Sequence, residues 1–145
     1  MAGSLDIEIV MVERLVYSGP VTFVSAPGRE GRLGILPGHA PLLAALRPGE
    51  LRLQPRDEAV EIGVAIGGGF LEVNDNRVIV LAHSAERARE IDVERALQAR
   101  ERALHRPQEH GTEVDLERAR EAMERAEARL HVAERLRKPH PGEER

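Results

Sequence analysis

The chain opens on apolar–polar alternation, Leu5-Asp6-Ile7-Glu8-Ile9-Val10-Met11-Val12, which puts Leu5, Ile7, Ile9 and Met11 on one face of a strand. Further short apolar runs follow at 21–25, 33–36, 51–54, 60–66, 70–73 and 78–81, each a strand candidate. Between them stand turn formers: Ser18-Gly19-Pro20, Ala26-Pro27-Gly28, Pro37-Gly38, Pro48-Gly49 and Asn74-Asp75-Asn76. Many short strands at close spacing predict an antiparallel sandwich or flattened barrel over the first 85 or so residues.

The period changes between residues 83 and 92. Beyond it Ala, Glu and Arg dominate, and Ala96, Ala99 or Leu97, Ala103 and Leu104 recur on one side of a helix that Asp92 can cap. Pro107 and Gly111 are expected to break that helix, and Asp115 to cap a second one. There Ala119, Ala122, Met123, Ala126, Leu130 and Ala133 follow helical spacing. Small alanines let two helix backbones approach closely, which predicts an antiparallel hairpin with a narrow seam. Such a seam is thin in energy, because the gain scales as about 25 cal/mol per Å² of apolar surface buried. The reading is α+β: an N-terminal antiparallel β-sandwich followed by a C-terminal antiparallel two-helix hairpin. Its units are expected at 1–86 and 87–138, with a disordered tail at 139–145 after the Pro139-His140-Pro141-Gly142 stop.

Composition narrows the chemistry. Only 2% of the residues are aromatic, so the core is built from Val, Ile, Leu and Ala. With no cysteine, disulfides, thiolate metal sites and thiol catalysis are excluded together. A net charge of −4, with Arg interleaved among Glu and almost no stacking platforms, argues against nucleic acid. No apolar run reaches the roughly 18–20 residues of a membrane span, so membrane association is expected only through a partner protein. Gly67-Gly68-Gly69 lies between strand-like runs, where a bulge or close strand approach is the better reading. There is no phosphate-binding Gly-x-x-x-x-Gly-Lys loop, and Lys138 is the single lysine. His105 and His110 lack the spacing of a helical metal pair, and no serine sits in a nucleophile elbow. The sequence therefore offers no catalytic residues, no metal site and no required cofactor.

Three collinear segments carry a family resemblance. Gly31-Arg32-Leu33-Gly34-Ile35-Leu36-Pro37-Gly38-His39-Ala40-Pro41-Leu42-Leu43, then Leu46-Arg47-Pro48-Gly49, resembles the signature of the epsilon subunits of bacterial F-type ATP synthases, the counterparts of the mitochondrial delta subunit. Gly68-Gly69-Phe70-Leu71-Glu72-Val73 with Val78-Ile79-Val80-Leu81-Ala82 is similar to that family's next strand pair. Ala85-Glu86-Arg87-Ala88 with Ile91-Asp92-Val93-Glu94-Arg95-Ala96 is similar to its junction into the helices.

The resemblance implies a non-catalytic rotor-stalk subunit at the cytoplasmic face of the bacterial inner membrane. Its implied partners are the gamma subunit, the membrane ring of c subunits and, through extended C-terminal helices, the alpha/beta catalytic hexamer. It makes the loop Leu36, Pro37, Gly38, His39, Ala40, Pro41, Leu42 the candidate rotor contact. It also implies helices that brake ATP hydrolysis when extended. In some members they bind ATP as a regulatory ligand when folded down. The matching positions are Glu86, Ile91, Asp92, Arg95, Ala96, Arg102, Arg118, Arg125 and Arg129. Guanidinium groups suit phosphate through bidentate, charge-assisted hydrogen bonds. Read as ordinary structure, Asp92 is an N-cap and Arg95 pairs with neighbouring Glu. Two readings outside the family stand beside this one: a β-sandwich protein-binding module with a helical dimerisation hairpin, and a small nucleotide-dependent enzyme. Relative to the family pattern, the chain is Arg-rich and carries an extra tail after Lys138.

Overall fold

The computed structural model describes residues 3–109 and 113–137, with side chains within 3–105 and 116–134. The predicted tail at 139–145 and the break at Gly111 lie outside the described residues. Seven strands come first: β1 (Leu5–Val10), β2 (Leu15–Gly28), β3 (Gly31–Ile35), β4 (Leu42–Pro55), β5 (Ile62–Asn74), β6 (Arg77–Ala82) and β7 (Ala85–Arg87). A one-turn 3-10 helix (Ala88–Glu90) then leads into α1 (Val93–Glu109) and α2 (Glu113–Arg137).

The strands run in the order β1-β6-β5-β4-β2-β3, and β1 also pairs with β2, which closes five of them into a ring. The long strands β2, β4 and β5 bend across the ring, so the barrel is flattened into two layers. All pairings are antiparallel except one: β1 lies parallel to β6, Ile7 opposite Val78 and Ile9 opposite Val80. This one parallel pair within the antiparallel sandwich follows from closure. A chain that leaves β1 through β2 and returns along β6 after four strands meets β1 running the same way.

Three of the predicted turns are strand instead. Ser18-Gly19-Pro20 lies within β2 and Pro48-Gly49 within β4, while Ala26-Pro27-Gly28 ends β2 just before its turn at 29–30. Here proline and glycine bend a strand rather than end it. A Cβ on Gly49 would stand 2.8 Å from Pro27 Cβ, so glycine permits β4 to cross β2 at the corner. Asp75 and Asn76 do form a turn, both left-handed at φ 48° and 57°, as a two-residue hairpin requires.

The core follows the alternation. Leu5, Ile7 and Ile9 of β1 are fully buried with Val21, Val24, Leu51, Leu53, Val64, Ile66, Leu71 and Val80. In β5 the run 63–66 is buried on both faces, because α2 covers the outer side. There Ala65 joins Ala128 and Val132 in a second, small cluster, flanked by Ala88 and Ile91.

The helices form the predicted hairpin. α1 packs on α2, and α2 in turn lies on β4 and β5. The seam is alanine throughout: Ala96 and Ala103 on α1, with Ala119, Ala126 and Ala133 on α2, are buried. Pro107 does not break α1, which continues to Glu109; a proline in the last turn forfeits one backbone bond and leaves the rest intact. Asp115 is not the cap of α2, which already begins at Glu113.

Candidate functional site

The junction between sandwich and arm holds a cleft of about 450 Å³ lined by Glu86, Glu90, Asp92, Arg95, Ala96, Ala99, Arg102 and Arg129. Four elements build it. β7 supplies Glu86, and pairs with β5 through Val64 opposite Arg87 and Ile66 opposite Ala85. The 3-10 turn supplies Glu90. Asp92 starts α1: its Oδ1 accepts the Arg95 N–H at 3.1 Å, and its carbonyl accepts the Ala96 N–H at 3.0 Å. Arg95, Ala99 and Arg102 then share one face of α1 at helical spacing, and Arg129 reaches in from α2.

Each carboxylate of the cleft has a structural partner. Glu86 accepts from Arg129 Nε at 2.8 Å. Glu90 accepts from the Arg14 guanidinium at 3.2 Å and from the Arg87 N–H at 3.2 Å. The hydrogen bond from Arg14 holds the Glu90 carboxyl below its ordinary value, against the opposing effect of burial. Asp92 is engaged by its own helix. On the opposite wall, Arg102 Nε meets only the Gln98 carbonyl, at 3.4 Å, and no ion pair forms at Arg95 or Arg102 among the described residues. The cleft thus brings three guanidinium groups and three carboxylates together, with Arg95 and Arg102 outside any ion pair among the described residues.

Six of the nine positions singled out in the sequence line this cleft: Glu86, Asp92, Arg95, Ala96, Arg102 and Arg129. Ile91 does not; it packs beside Ala65, Ala128 and Val132. Arg125 does not either. Its stem lies over the Gly67 backbone, so close that a Cβ there would stand 2.9 Å from Arg125 Cδ. Arg118 is exposed on α2, 11 residues before Arg129 and hence about 16 Å away along the axis. Glu90 and Ala99 were missed. No capping signal marks Glu90, since Arg87 offers no acceptor; its carboxylate returns to the Arg87 N–H only in the fold. Ala99 lies one turn beyond Arg95 on the same helix face.

The candidate docking loop, Leu36 to Leu42, stands at one end of the sandwich. Gly38, at φ 84°, donates its N–H to Asn76 Oδ1 at 2.7 Å, and the His39 N–H bonds the Leu36 carbonyl at 3.1 Å. His39 Nδ1 donates to the Ala40 carbonyl at 2.6 Å, so the loop is pinned from inside and from the β5–β6 turn. Leu36 is 59% exposed upon it. Beside the loop, the outer face of β4, β5 and β6 carries Leu43 (73% exposed), Phe70 (50%) and Leu81 (56%), with Phe70 opposite Leu81 and Leu43 opposite Glu72. Among the described residues no cluster of side chains could hold a metal ion, and no helix is long and apolar enough to cross a membrane.

A flattened barrel bearing a folded-back alanine-seamed arm, with a charged cleft at the joint, defines a protein of two parts, a β-sandwich and a helical hairpin. Residues 4–88 match the family described as ATP synthase, Delta/Epsilon chain, beta-sandwich domain, and 89–134 match its long alpha-helix domain. The chain is 48% identical over 140 residues to the ATP synthase epsilon chain of Dehalococcoides mccartyi, covering 96% of this chain and 98% of that one. It is 44% identical to the epsilon chain of Halorhodospira halophila, over 94% of this chain and 96% of that one. A chain in the Euglena gracilis mitochondrial ATP synthase OSCP/F1/c-ring structure superposes with a TM-score of 0.76 at 26% identity, covering 90% of this chain and 81% of that one. A chain of the Tetrahymena thermophila mitochondrial central stalk and c-ring shares the fold at TM-score 0.59 and 16% identity, covering 88% of this chain and 95% of that one. The chain belongs to the ATP synthase delta/epsilon family, on its bacterial epsilon branch.

Proposed function

We propose that this chain is a non-catalytic subunit of the central rotor stalk of a bacterial F-type ATP synthase, coupling the catalytic head to the membrane ring. It works at the cytoplasmic face of the membrane, held there by its partners. The sandwich docks through two exposed features: the outer face of β4, β5 and β6 with Leu43, Phe70 and Leu81 toward gamma, and the pinned loop Leu36–Leu42 toward the c ring. The helical arm is the regulated part. Docked, it is held by a small cluster on the sandwich; extended, it reaches the alpha/beta hexamer and brakes hydrolysis.

The observation that carries this reading is the composition of the cleft. It takes residues from β7, the 3-10 turn, α1 and α2, so it exists only while the arm is docked. A ligand shifts a two-state equilibrium by its differential affinity for the two states. ATP, with phosphates at Arg95 and Arg102 and its nucleoside toward Asp92, holds the arm down because extension parts α1 from α2 and takes Arg129 away from the site. At 100-fold above its dissociation constant a ligand adds about 2.7 kcal/mol to the state that binds it. That is comparable to burying one or two large apolar side chains.

The test is reconstitution of the complex with the full chain and with one ending at Glu90. Hydrolysis is expected to rise on truncation while assembly is unchanged, and ATP is expected to narrow the difference. Equal rates at every nucleotide concentration would overturn the brake.

A further inference from the structure

We infer that residues 85–90 belong mechanically to the sandwich and that the arm swings about Ile91–Asp92. This rests on the detachable-arm reading above. Three ties hold the segment. β7 is laddered to β5 from Ala85 to Arg87. Arg14, in the connection between β1 and β2, donates to the Ala85 carbonyl at 3.4 Å and to the Glu90 carboxylate at 3.2 Å, clasping both ends of the segment. The Arg87 guanidinium stands 5.8 Å from the centre of the Tyr17 ring, on β2. Arg14, Tyr17 and β5 are all parts of the sandwich.

Toward the arm, Ala88 and Ile91 both flank the cluster that Ala65 forms with Ala128 and Val132. Ile91 packs with Ala128 and Val132 of α2 as well as with Ala65, and Asp92 caps α1. Between the 3-10 turn and α1, Ile91 is extended at φ −79°, ψ 120°, outside both the ladder and the helix. Its N–H bonds the Ala88 carbonyl at 3.2 Å.

The location of the pivot decides what each half keeps. Glu86 and Glu90 stay with the sandwich, while Asp92, Arg95, Arg102 and Arg129 leave with the arm. Release therefore breaks the Glu86–Arg129 pair and exposes two carboxylates where the anion site had been. The abandoned half, left with carboxylates alone, repels a polyphosphate, and every arginine of the cleft travels with the arm.

Amide hydrogen exchange on the full chain, followed by NMR, tests this. The hydrogen-bonded amides of residues 85–91 are expected to exchange with those of β5, about tenfold or more slower than those of residues 96–103. Arg14→Ala should speed exchange at 85–91 by about three- to tenfold and leave Leu71 and Val80 unchanged. Glu90→Gln should act in the same direction with a smaller effect. Amides of 85–91 exchanging in step with 96–103 in the native chain, or insensitive to Arg14→Ala, would overturn the clasp while leaving a detachable arm. Amides of 96–103 as slow as those of β5 in every chain would overturn the detachable arm, and the pivot with it.

Discussion

Glu90 shows how one residue serves two structures. Its carboxylate closes the 3-10 turn on the Arg87 N–H and bonds Arg14 across 76 positions of sequence. Because its folded value is lowered, its contribution to stability is present above the ordinary carboxylate value of about 4.3 and is lost as pH falls through the folded value. The side chains of Arg14 and Glu90 are 48% and 34% exposed, so solvent screens the pair and the contribution is below about 1 kcal/mol. Thermal unfolding of the chain between about pH 6 and pH 3 should lose that increment in the native protein and lack it in Glu90→Gln. Identical pH profiles would remove the ion pair from the account. Residue-scale features that depend on near neighbours were legible in the sequence: the Asp92 cap and the Asp75-Asn76 turn are both where local chemistry puts them. The Arg14–Glu90 contact was not, since nothing in the chain marks two residues that far apart as partners.

Among the elements, α2 carries the heaviest duty. It is buried toward α1 along Ala119, Ala126 and Ala133, and toward the sandwich through Ala128 and Val132. The alanine seam was readable as spacing, but the second apolar face was not, because it consists of two residues among Arg and Glu. The docking face is small, so a single truncation is felt. Val132→Ala removes about two methyl equivalents, or about 1.5–2 kcal/mol. Exchange of α1 and α2 amides should rise by about tenfold, with β5 and β6 unaffected. A uniform loss of protection across the sandwich would instead mean that α2 is part of its core. The strands tell a related story. Runs of apolar residues located them, yet Pro20, Pro27 and Pro48 read as boundaries because a corner in a bent strand uses the same residues as a turn.

For the whole molecule, the change from two-residue to helical period was enough to give a β part followed by a helical arm. What it could not give was closure: the parallel pairing of β1 with β6 is a consequence of topology, invisible to local pattern. The candidate site was legible to the extent that its residues fall within the joint. Glu86, Asp92, Arg95, Ala96, Arg102 and Arg129 converge there, while Arg125 is drawn away to cover Gly67 and Arg118 lies too far along α2. This division supplies the most direct test of the central claim, that the joint is a nucleotide site assembled by the docked arm. The measurement is calorimetric titration of the full chain, Arg95→Ala and Arg118→Ala with ATP. Native chain and Arg118→Ala should bind alike, while Arg95→Ala, losing a charged hydrogen bond of about 1.5–3 kcal/mol, should bind at least about tenfold more weakly. No heat from the native chain at millimolar ATP, or binding that survives Arg95→Ala and is lost in Arg118→Ala, would contradict the account.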